Sequence, residues 1–214
     1  MGLISLLFSN PAAFIILASV LLYSVILHEV AHGWVALCFG DDTALRYGRL
    51  TLNPVSHLDP IGTLLLFFVG FGWARPVPVD YYSLRNGRFG LFSVALAGCA
   101  TNIIIAATAM FLLQFEFVNS NPAFSGVLPI IARINIILGA FNLIPIPPLD
   151  GSKILMSFLP QEAQNSLASL EPYGFFILAF LLFTGLLDPV IVLMQRLIYG
   201  LIAIFFSLFS KPGL

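Results

Sequence analysis

Two of the three histidines in this 214-residue chain, His28 and His32, stand four residues apart in the run Ile26-Leu27-His28-Glu29-Val30-Ala31-His32-Gly33-Trp34. On an α-helix that spacing puts both imidazoles on one face, one turn apart, where they can share a metal ion. Glu29 follows His28 by about 100° round the helix. This is the H-E-x-x-H pattern, in which the two imidazoles hold zinc and the glutamate acts as general base toward a water. A lone histidine in an apolar helix is usually a satisfied core residue. Two of them flanking an acid at lipid depth are not, because ionisable groups there are costly and mark sites.

The elements that must carry this pattern are membrane helices. Hydrophobic residues make up 59% of the chain and charged residues 9%, against about one quarter charged in a soluble domain. A water-soluble enzyme is excluded. The net charge of −1 and the lack of a basic tract argue against nucleic-acid binding. Cys38 and Cys99 both lie in apolar stretches and read as reduced residues, with no disulfide or cysteine metal site expected. The apolar run that begins the chain continues into His28, so a cleaved signal peptide is not expected.

A span needs about 20 mostly apolar residues. Pro11 to Phe39 is the first, opened by proline and stopped at Gly40. Leu45 to Leu52 is short, partly alternating and rich enough in β-formers for a strand. Ile61 to Gly72 is too short for one crossing and reads as a re-entrant or interfacial hairpin, with Gly62, Gly70 and Gly72 easing the bend. Trp73 to Asp80 is a non-helical connector, held open by Pro76 and Pro78. Phe89 to Phe117 and Gly126 to Leu143 are further spans, followed by a short helix from Ser152 to Leu159. Pro172 to Leu187 and Val190 to Phe209 make a final pair. The expected fold is an all-α polytopic membrane protein of about five full transmembrane helices, with a re-entrant or short β-containing segment near 45–80. Residues 1–214 form one membrane-embedded domain, with its core at about 11–160 and a C-terminal helix pair at 172–210.

Charge orients it. If 61–72 does not cross, Arg46, Arg49, Arg75, Arg85, Arg88, Lys153 and Lys211 share the side on which the first span ends, and Arg133 and Arg196 fall within spans. The positive-inside rule then puts the histidine end of the first helix toward the cytoplasm, in a multi-pass cell-membrane protein. Snorkelling toward headgroups accounts for Arg133 and Arg196.

A catalytic zinc typically has three protein ligands plus water. Asp150 is the leading third ligand: two spans return the chain to the histidine side, and Pro145, Pro147 and Pro148 break the helix before it. Gly151 permits a close backbone approach. A single crossing at 61–72 would put Asp150 opposite the histidines, so topology and ligand assignment stand together. Asp59 and His57 are rival ligands, and Asp150-Gly151 also suits an ordinary turn or helix cap.

His28-Glu29-Val30-Ala31-His32 in a membrane helix, with Asn142-Leu143-Ile144-Pro145-Ile146-Pro147-Pro148-Leu149-Asp150-Gly151 downstream, resembles the site-2 proteases, the M50 intramembrane zinc metallopeptidases. Asn53 to Thr63 and Gly72 to Val79 are similar to a compact prokaryotic branch without PDZ or CBS domains. Ala97-Gly98-Cys99-Ala100-Thr101-Asn102 resembles the family's glycine-to-asparagine motif, with Cys99 where proline is common. The resemblance implies one zinc per chain held by His28, His32 and Asp150, with Glu29 activating its water.

The chemistry then expected is peptide hydrolysis of a transmembrane or membrane-associated protein within the bilayer. Oxyanion donors beyond the metal would come from Asn102 or His57. Asn102 equally suits a helix–helix hydrogen bond, and His57 a bond within its loop. An unwound substrate needs backbone partners, and Arg46 to Leu52 as an edge or Trp73 to Val79 as a wall can supply them; both also suit a plain connector. The alternative function is a membrane metal-ion transporter, which would carry polar ligands on both sides of the midplane. An inactive adaptor would not need Glu29.

Overall fold

The structure, a computed structural model, describes residues 3–69 and 72–209. Gly70 and Lys211, which enter the expectations above, lie outside the described residues. The elements are α1 (Leu3–Ser9), α2 (Pro11–Cys38), α3 (Thr43–Arg46), a 3-10 turn (Pro54–Ser56), α4 (Pro60–Val69) and α5 (Arg88–Leu112), then α6 (Glu116–Asn119), α7 (Pro122–Asn142), α8 (Asp150–Met156), α9 (Gln161–Ala168), α10 (Glu171–Phe183) and α11 (Asp188–Phe209). Among the described residues there is no strand.

Local chemistry sets the helix ends. Asn10 accepts from the Ala13 N–H at 3.1 Å and Pro11 takes the first helical position of α2. At the other end Gly40 adopts φ +97°, its N–H bonds to the Leu37 carbonyl, and the Asp41 N–H reaches back to Ala36. That is a Schellman stop, which needs a residue tolerant of left-handed backbone. α7 starts the same way, with Asn121 accepting from Ala123 and Pro122 following it.

α2, α5 and α7 pack together as the central layer, α8 lies against α5, and α11 lies against α7. Small residues permit the close approach: Ala95, Gly98, Cys99 and Ala106 of α5 and Gly139 and Ala140 of α7 are buried. Farther along, Ala106, Ile136, Ala140, Ile198 and Ile202 join α5, α7 and α11 in one cluster. Large apolar side chains point outward instead, with Phe176 71%, Phe183 79% and Leu208 76% exposed. Such a surface suits hydrocarbon rather than water.

Four helices, α2, α5, α7 and α11, are long and apolar enough to cross a membrane, and α9 with α10 makes a fifth if that pair, bent by 64°, is one span. The expected span at Pro172 to Leu187 is thus a shorter helix, α10, with a bend before it. The expected strand at 45–52 does not form. Arg46, Tyr47 and Arg49 send their N–H groups to the nearby carbonyls of Asp42, Thr43 and Ala44, because strand-forming residues need a partner strand to pair with. The segment beside them, 73–79, has no regular secondary structure and carries Pro76 and Pro78, and it is joined to the loop by the Arg49 guanidinium on the Arg75 carbonyl at 2.9 Å.

α4 has ten residues, about 15 Å of helix against a hydrocarbon core of about 30 Å. The backbone of Trp73 returns against Gly62, so closely that any Cβ there would strike the Trp73 carbonyl. Trp73 thus lies beside the first turn of α4.

Candidate metal centre

His28 and His32 project from α2 into a gap closed by α5 and by the start of α8. Both are buried, at 6% and 7% exposure. Their Nε2 atoms lie 3.1 Å apart, and Asp150 Oδ2 lies 3.0 Å from the first and 3.2 Å from the second. Among the described residues these three form the one cluster of histidine, cysteine or acidic donors close enough to share an ion. Tetrahedral zinc with nitrogen and oxygen ligands at about 2.0–2.1 Å has ligand–ligand edges of about 3.3 Å. The observed triangle is within a few tenths of an ångström of that, and its donors are two imidazole nitrogens and one carboxylate oxygen. The residues present fit a zinc ion.

Two glycines make the triangle possible. A Cβ on Gly98 would lie 2.5 Å from Cε1 and Nε2 of His28 and from Nε2 of His32. On Gly151 it would strike the Leu143 and Ile144 carbonyls, so only glycine lets the first turn of α8 tuck under the end of α7 and carry Asp150 to the histidines.

The far side of each ring is also engaged. His32 Nδ1 lies 2.7 Å from the Val94 carbonyl, which can only accept, so Nδ1 carries a hydrogen and Nε2 is the nitrogen that can bind a metal. His28 Nδ1 lies 2.6 Å from Asn102 Oδ1. Asn102 in turn donates to Asn135 Oδ1 at 2.8 Å, and Asn135 donates to Ser24 Oγ and to the Ile131 carbonyl, each at 2.9 Å. Cys99 donates its thiol to Asp150 Oδ2 at a sulfur–oxygen distance of 3.8 Å. Of these partners, Ser24, Val94 and Asn135 carry no signal that sequence reading could use, and Cys99 reads only as a core residue.

Glu29 is half-buried and accepts the Val77 N–H at 2.9 Å, so the connector 73–79 lies over the catalytic-type motif. His57 is fully buried elsewhere: its Nε2–H donates to the Thr51 carbonyl at 2.8 Å and its own carbonyl accepts from Arg75. Asp59 accepts from the Gly62 N–H at 2.8 Å and caps α4. Neither rival ligand joins the triangle. Asp41, at the end of α2, anchors the connector's other end by accepting from Asp80 and Thr43. Burial alone would raise its carboxyl, but the bonds from Thr43 and Asp80 outweigh that and hold it below its ordinary value.

Comparison with known proteins bears on this geometry. Residues 116–185 match the sequence model of peptidase family M50. The chain is 42% identical over 173 residues to YwhC of Bacillus subtilis, covering 78% of this chain and 79% of that protein. This chain belongs to peptidase family M50. Over 188 residues it is 31% identical to Rip2 of Mycolicibacterium smegmatis, covering 84% of this chain and 71% of Rip2; the names of both relatives class them provisionally as zinc metalloproteases. The fold is similar to that of the solved site-2 protease from Methanocaldococcus jannaschii, with a TM-score of 0.51 and 23% identity over 92% of this chain and 81% of that one. The helix that carries His28, Glu29 and His32 is apolar and long enough to span a bilayer.

Proposed function

We propose that this M50 chain is an intramembrane zinc metalloprotease that hydrolyses peptide bonds of transmembrane or membrane-associated proteins. One observation carries the reading: Nε2 of His28, Nε2 of His32 and Oδ2 of Asp150 meet within 3.0–3.2 Å of one another, enclosed by helices apolar enough to span a bilayer. His28, His32 and Asp150 would hold one zinc. When bound, zinc lowers the pKa of a coordinated water and polarises a carbonyl. Glu29, on the same helix as the two histidines, would accept the proton of the attacking water and return it to the leaving amine.

Asn102 and His57 take other parts in this reading. With its oxygen on His28 and its nitrogen on Asn135, Asn102 orients the histidine rather than meeting the oxyanion. His57 holds the loop 51–57 against the connector. The wall along an unwound substrate is the connector 73–79, whose Val77 touches Glu29; the 46–52 segment, which forms no strand, is not the edge. The core at about 11–160 of a single membrane domain carries every proposed ligand. The Lys and Arg distribution supports a site opening toward the cytoplasm from a cell-membrane protein.

The test is zinc content and peptide cleavage of the detergent-purified chain beside Glu29→Gln. Zinc retained with cleavage abolished is the expected result. Metal flux into liposomes that survives Glu29→Gln would mean the transporter instead. The gathering of the donors at one depth favours the hydrolase.

A further inference from the structure

A metal-binding histidine must present a bare nitrogen, and which nitrogen is bare depends on what faces the other one. For His32 a backbone carbonyl settles this. For His28 the facing group is an amide, Asn102, and an amide can turn either end toward the ring. Turned over, Asn102 would offer N–H to Nδ1, move the ring hydrogen to Nε2 and block the metal position.

The chain of contacts behind Asn102 removes that freedom. Asn135, fully buried in α7, lies 2.9 Å from the Ile131 carbonyl, one turn earlier in its own helix. A carbonyl only accepts, so the Asn135 nitrogen must face it, and its second hydrogen goes to Ser24 Oγ at 2.9 Å. Both donors are then used, and only Oδ1 remains for Asn102 at 2.8 Å. Asn102 must answer with its nitrogen, which turns its oxygen to His28 Nδ1 at 2.6 Å. Each link follows from the one before it, and the chain starts at a backbone atom that cannot rotate.

We infer that Asn135 is a positioning residue for the metal centre: anchored on the Ile131 carbonyl, it fixes the orientation of Asn102 and thereby holds His28 with hydrogen on Nδ1 and Nε2 free for zinc. The inference rests on the zinc reading above. It explains why three helices bury two asparagines and a serine at this level, where an unsatisfied amide would be expensive. It also separates the two histidines: His32 is oriented by one fixed acceptor, His28 by a relay of two amides.

The test uses the full-length chain in detergent and zinc affinity measured by chelator competition. Asn135→Leu keeps the volume but frees Asn102 to turn, and zinc binding should weaken by about 10- to 100-fold, the usual cost of losing an orienting partner. Asn102→Asp needs no relay, because a carboxylate only accepts. Asn102→Asp/Asn135→Leu should therefore bind zinc at least about tenfold more tightly than Asn135→Leu alone, although it is further from the native sequence. Ser24→Ala leaves the Ile131 anchor in place and should change affinity by less than about threefold. Wild-type affinity in Asn135→Leu, or no recovery in the double variant, overturns the relay. A wild-type chain that holds no zinc overturns the metal reading itself, so the two failures are distinct.

Discussion

Replacing Gly98 by alanine adds one methyl group at the most confined point of the metal centre. The new Cβ would lie 2.5 Å from His28 Nε2 and from His32 Nε2, roughly 1 Å inside ordinary contact distance for packed heavy atoms. Neither ring can yield freely: Nδ1 of one is tied to Asn102 at 2.6 Å and Nδ1 of the other to the Val94 carbonyl at 2.7 Å. Either α5 backs away from α2 or both rings rotate off their partners. Overpacking of this kind costs about 1–3 kcal/mol, and metal distances tolerate only about 0.2 Å. Zinc affinity in Gly98→Ala should fall by about 10- to 100-fold, at about 1.4 kcal/mol per tenfold. The assay is chelator competition on detergent-purified protein, with thermal unfolding of the zinc-free form alongside. Gly126→Ala is the control, since a Cβ there meets nothing within 4 Å, and it should bind zinc as the wild type does. Unchanged zinc affinity in Gly98→Ala would refute the argument that the two rings and α5 are in close, mutually fixed contact.

Asp150→Ala should abolish stoichiometric zinc, while His57→Ala and Asp59→Ala should keep it and lower the unfolding temperature instead; metal analysis of the three variants separates ligand from loop. Removing zinc with a chelator should lower the unfolding temperature, and adding zinc back should restore it, because the ion binds only the assembled triangle. Asp41 titrates below its ordinary value of 3.8 in the folded chain. A depressed native pKa means that its contribution is fully present above 3.8 and is lost as pH falls from there through the native value. Thermal unfolding of wild type and Asp41→Asn should therefore differ near neutral pH and converge under strong acid.

How much of this was legible beforehand follows from the range of each interaction. The H-E-x-x-H pair is local: an α-helix brings positions 28 and 32 together whatever else the chain does. The ends of α2 are local too, since Asn10-Pro11 and Gly40 act within a turn. The apolar length of the spans follows from the bilayer, and counting crossings was enough to bring Asp150 to the histidine side. The strand at 45–52 was misread because β-forming residues do nothing without a partner, and the neighbouring segment offers prolines and a guanidinium contact in place of a ladder. The span expected at 172–187 corresponds to the shorter helix α10, which is long enough to cross only together with α9, and the bend between them was not legible because apolar composition reports length and not bending.

Taken alone, then, the amino-acid order determined a membrane-embedded H-E-x-x-H helix, the spans around it and a short choice of third ligands, since these depend on periodicity, transfer energy and chain direction. Only the tertiary structure decided that Asp150 rather than Asp59 or His57 meets the imidazoles, that Gly98 and Gly151 are empty because rings and carbonyls occupy their Cβ positions, and that Asn102 and Asn135 stand behind His28. Apart from Gly151 against the end of α7, those are contacts between residues 33 to 122 positions apart, and side chains that far separated in sequence share no local pattern until helices pack.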